Sequence, residues 1–80
     1  MNIKNRTIVS NDYVTVVVDG DHVIVDMVNS LIYLGGVSFS APQIIIGVDQ
    51  EMVVEVRSNR TMESTCVVID HGRVDYLKQS

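Results

Sequence analysis

The chain has 80 residues, a net charge of −4 and a hydrophobic content of 46%. Valine (16), isoleucine (8) and threonine (4) together make 28 β-branched residues, against one alanine and three leucines. A chain this short and apolar reads as a single domain over residues 1–80, too small for two domains and too hydrophobic to be disordered. The scarcity of strong helix formers excludes a helical bundle and predicts an all-β fold.

The first residues, Met1 to Arg6, lead into polar sequence with no apolar run behind them. Nothing approaches the ~20 apolar residues of a membrane helix, so the expectation is a soluble, cytoplasmic protein without membrane contact. A short strand is expected near Thr7 to Val9. Val14 to Val18 and Val23 to Met27 then flank Asp19-Gly20-Asp21-His22, the clearest hairpin signal in the chain. A four-residue loop there sets Val18 against Val23, Val16 against Val25 and Val14 against Met27. That register makes one face wholly apolar, and register follows the buried face.

Asn29-Ser30 precedes a strand over Leu31 to Leu34, and Gly35-Gly36 turns it into Val37 to Ser40. Ala41-Pro42 ends that strand, because proline has no N–H to give to a ladder. Gln43 to Val48 and Met52 to Arg57 bracket another tight connection, and Ser58 to Ser64 is the longest expected loop. Thr65 to Ile69 and Val74 to Leu77 flank Asp70-His71-Gly72-Arg73, with Gly72 placed for positive φ. The count is seven to nine short strands in an antiparallel meander, forming a sandwich or small barrel.

Val16-Val17-Val18 and Ile44-Ile45-Ile46 are apolar at successive positions, so both faces of those strands are apolar. Val53-Val54 and Val67-Val68-Ile69 repeat the pattern. A solvated antiparallel sheet alternates apolar-in and polar-out, so another subunit or a partner protein is expected on the second face. The charge is segregated too: no lysine or arginine occurs between Arg6 and Arg57, while seven carboxylates do. Termini and middle cancel by packing together, or the basic ends of one subunit meet the acidic middle of the next, or that middle docks on a basic partner. Nucleic acid is disfavoured by the negative charge and the four aromatic residues. Those four, Tyr13, Tyr33, Phe39 and Tyr76, read as core or interface anchors.

The candidate binding residues are Asp19, Asp21, His22 and Asp26 around the first hairpin, and Asp70, His71 and Arg73 at the last. Carboxylates beside an imidazole suit a cation. Asp, Gly and His are also ordinary turn residues, and no full ligand spacing is present, so no metal or cofactor is assigned. The lone cysteine, Cys66, reads as a buried inert thiol. With no phosphate loop, nucleophile elbow or zinc pair, the expectation is not an enzyme. It is a homo-oligomeric interaction or assembly module that binds or inhibits another protein, in the manner of a phage or mobile-element accessory protein. The alternatives are a small-ligand binder with its pocket at a subunit interface, and a self-assembling structural β protein.

Overall fold

The structure is a computed structural model that describes residues 5–77. Nine antiparallel strands form two open sheets, the arrangement of a sandwich rather than a closed barrel. They are β1 (Asn5–Ser10), β2 (Val14–Asp19), β3 (His22–Met27), β4 (Ser30–Leu34), β5 (Val37–Phe39), β6 (Gln43–Gly47), β7 (Glu51–Ser58), β8 (Ser64–Asp70) and β9 (Arg73–Leu77). Sheet A has the order β1-β2-β3-β6 and sheet B the order β5-β4-β7-β8-β9. The simple meander is broken because the β4–β5 hairpin belongs to sheet B and sits between two strands of sheet A. The chain therefore changes sheets three times, between β3 and β4, β5 and β6, and β6 and β7.

The β2–β3 register is the expected one: Val18 faces Val23, Val16 faces Val25 and Val14 faces Met27. The loop is tighter than expected, because Asp19 also pairs with His22. Gly20, at φ +65°, takes the first central position of the resulting two-residue turn and removes the steric penalty that a side chain would meet there. At the β8–β9 turn Asp70 pairs with Arg73, and both central residues have positive φ, His71 at 48° and Gly72 at 92°.

Alternation divides each strand between core and exterior. Val14, Val16, Val23, Val25, Met27 and Ile46 of sheet A meet Ile32, Val54, Val56, Val67, Ile69 and Val74 of sheet B in one cluster. Polar groups that enter this core are paired. Tyr13 Oη and Thr65 Oγ1 lie 2.7 Å apart, and Ser30 Oγ donates to the carbonyl of Val28 at 2.8 Å. Among the described residues, every buried side-chain nitrogen or oxygen has a partner, as a small core with little stability to spare requires.

Candidate functional site

The two acidic turns read separately from the sequence meet at one end of the sandwich. The connection between β6 and β7 holds them there through backbone bonds. Val48 N–H donates to the carbonyl of Asp21 at 3.0 Å, Gly72 N–H donates to the carbonyl of Val48 at 2.6 Å, and His71 N–H donates to that of Gln50 at 3.1 Å. Asp19, Asp21, Asp49, Glu51 and Asp70 thus gather at one pole, with His22, His71 and Arg73 among them. Sequence reading missed Asp49 and Glu51 because the link between the turns is tertiary.

Each histidine ring lies against the preceding aspartate. His22 Nδ1 is 2.9 Å from Asp21 Oδ1, and His71 Nδ1 is 2.8 Å from Asp70 Oδ1. The His71 imidazole is pushed above its ordinary pKa, first by the hydrogen bond to Asp70, then, against the opposing effect of desolvation, by the charges of Asp70, Glu51 and Asp49. All these side chains are exposed. Among the described residues, no three His, Cys, Asp or Glu side chains converge as metal ligands. Asp26 stands apart, on the outer face of sheet A, where Gln43 Nε2 donates to its Oδ1 at 2.7 Å.

Cys66 is buried, as its strand setting implied, yet it belongs to the outer face of sheet B. There it pairs with Glu55 on one side and Leu77 on the other. Desolvation, and then the Glu55 charge, push the thiol up. This disfavours the thiolate that nucleophilic chemistry needs.

Outer faces carry the apolar residues that the double-sided runs implied. Ile45 on sheet A and Val53 on sheet B are 58% and 54% exposed. Around Val53 the same face holds Leu31, Tyr33, Val68 and Leu77. Arg57 projects from that face, its guanidinium carbon 5.5 Å from the centre of the Tyr33 ring. Glu55 stands two residues before it on the same face of β7. Of the four aromatics, Tyr13 alone is a core residue, since Tyr33 is half-buried and Phe39 and Tyr76 are exposed.

The opposite pole is polar and turned. Asn11 Oδ1 accepts from the N–H groups of Tyr13 and Val14, both at 3.0 Å, and Asn11 Nδ2 donates to Thr65 Oγ1 at 3.2 Å. Asn11, Tyr13 and Thr65, with Met62, Glu63, Ser64 and Tyr76, line an open depression. The chain matches no family model, no curated protein and no solved structure.

Proposed function

We propose that the protein is a non-enzymatic interaction module that works as a homo-oligomer and binds or inhibits a partner protein. The observation that carries this reading is the outer face of sheet B. Leu31, Tyr33, Val53, Val68 and Leu77 are apolar residues on that face, interspersed with Glu55, Arg57 and Asp75, although the single core of the sandwich is filled from the other face. A fully buried valine or leucine side chain contributes about 1.5–3 kcal/mol, so a few such residues hold a dimer together.

The charges favour self-association over a strongly charged partner. Arg57 and Glu55 sit two residues apart on this face, and neither has an ion-pair partner among the described residues. Across a two-fold axis the Arg57 of one copy meets the Glu55 of the other, twice, as an isologous contact requires. Sedimentation and native mass spectrometry at micromolar concentration test the proposal. A dimer is expected, and Val53→Lys is expected to convert it to a folded monomer. A wild-type chain that stays monomeric under both measurements overturns it.

A further inference from the structure

The two sheets have unequal numbers of strands, and the consequence is concentrated at one flank. On the other flank β1 of sheet A approaches β9 of sheet B. Counted from there, sheet A ends with its fourth strand, β6, while sheet B continues to a fifth, β5. Burial follows the same count. Ile32 on β4 is 0% exposed, whereas Val37 and Phe39, on the same face one strand further out, are 59% and 37% exposed. The cover supplied by sheet A therefore stops between β4 and β5.

The edge of β6 that borders this gap is open. Met27 N–H donates to the carbonyl of Pro42, and Val48 N–H to that of Asp21. In an antiparallel ladder these two bonds direct the backbone groups of Ile44 and Ile46 toward β3 and those of Gln43, Ile45 and Gly47 away from it. The Gly47 carbonyl already accepts from Gln50 N–H at 3.3 Å, so at that end the N–H alone is offered. Between Gln43 and Gly47 no charge, proline or bulge guards the edge. Such devices are how sheets discourage pairing. The β1 edge, by contrast, is interrupted by an irregularity between Thr7 and Val9, and β9 carries Arg73 and Asp75.

We infer that the gap is a strand-binding site: an extended segment of another protein adds to β6 as the fifth strand of sheet A and covers Val37 and Phe39. Antiparallel addition matches every existing pairing in the fold. Residues opposite Ile44 and Ile46 then point onto the β5 floor and are apolar, and those opposite Gln43, Ile45 and Gly47 point outward. The incoming strand begins at the acidic pole. There the Asp49 carboxylate lies 2.9 Å from where a Cβ on Gly47 would stand, and Asp21 and His22 border the same depression. Its first residue is therefore basic. On the strand count from the β1–β9 flank, β4 faces β6, so the β4 of a second copy added edge to edge would fall where β5 already is.

The inference deepens the partner-binding half of the proposed function and is independent of the sheet B dimer. The test uses a synthetic peptide, lysine followed by alternating valine and threonine, added at ~1 mM to the full chain. Amide hydrogen exchange at Gln43, Ile45 and Gly47 is expected to slow by at least about tenfold, while Ile44 and Ile46 are already protected. Backbone N-methylation of Ile45, made by chemical synthesis, is expected to abolish binding, and Phe39→Asp to weaken it by about tenfold or more. Val53→Asp, which addresses the other face, is expected to leave it unchanged. Unaltered exchange at the three amides overturns the inference, as does binding that survives N-methylation. Protection of Ile45 in the free chain that grows with protein concentration overturns it in favour of a second copy. Loss of the dimer with retained peptide binding rejects the oligomer alone.

Discussion

The two flanks of the sandwich are built from the same kinds of residue and end differently. On the β1–β9 flank the sheets come together, and Val74 of β9 is buried. On the β5–β6 flank the same residue type, Val37 of β5, stands in solvent beside an unpaired edge. Hydrophobicity alone does not place a valine inside. The position of its strand relative to the facing sheet does.

The contrast can be broken most sharply by amide exchange. Ile44 and Ile45 are adjacent and identical in type, yet their backbone groups face opposite ways across the β6 ladder. In the free protein Ile45 is expected to exchange on the order of a thousand times faster than Ile44, since only the latter needs unfolding to open. Similar rates at the two sites, measured by NMR, would mean that the edge is already occupied.

Next in size is a pair of identical truncations. Val74→Ala is expected to lower stability by about 1.5–3 kcal/mol through lost burial and the space left behind. Val37→Ala should stay within about 0.5 kcal/mol. Urea titration of both variants measures the difference, and equal losses would show that the flanks are closed alike. Tyr13→Phe tests the polar pole. It deletes the hydroxyl beside Thr65 Oγ1, which keeps its bond from Asn11 Nδ2, and is expected to lower stability by about 0.5–1.5 kcal/mol, read in the same titration.

The smallest effect is a pH dependence. His71 is raised above its unfolded value, so its contribution is fully present below the unfolded pKa of about 6.5 and fades as pH rises through the folded one. Asp70→Asn, which removes the largest cause, is expected to lower the His71 pKa in an NMR titration. An unchanged value would place the cause elsewhere.

Much of the fold was legible in the chain because strand pairing leaves a local trace. The apolar face shared by Val14, Val16 and Val18 and by Val23, Val25 and Met27 admits one good register, and that register is present. The turn residues marked the hairpins for the same reason: Gly20, Gly36 and Gly72 stand at positive φ. Less could be read of the candidate sites. The turns at Asp19 to His22 and Asp70 to Arg73 could be named, but not that Val48 and Gln50 bind them together. Chain position groups Asp26 with the first turn, although the register read from the sequence already sets it beside Thr15 on the outer face, four residues along β3 from His22.

By itself the sequence determined an all-β chain of short antiparallel strands with apolar side chains left over on several of them. Local propensity, alternation and turn chemistry act over a few residues, and these features need nothing more. Only the tertiary structure decided which strands share a sheet, that sheet A stops one strand short of sheet B, and that the acidic turns share one pole. Those outcomes depend on how the sheets are laid against each other, a packing choice made between residues far apart in the chain. The surplus of β-branched side chains thereby acquires addresses: the outer face around Val53, and the open edge of β6 above Val37 and Phe39.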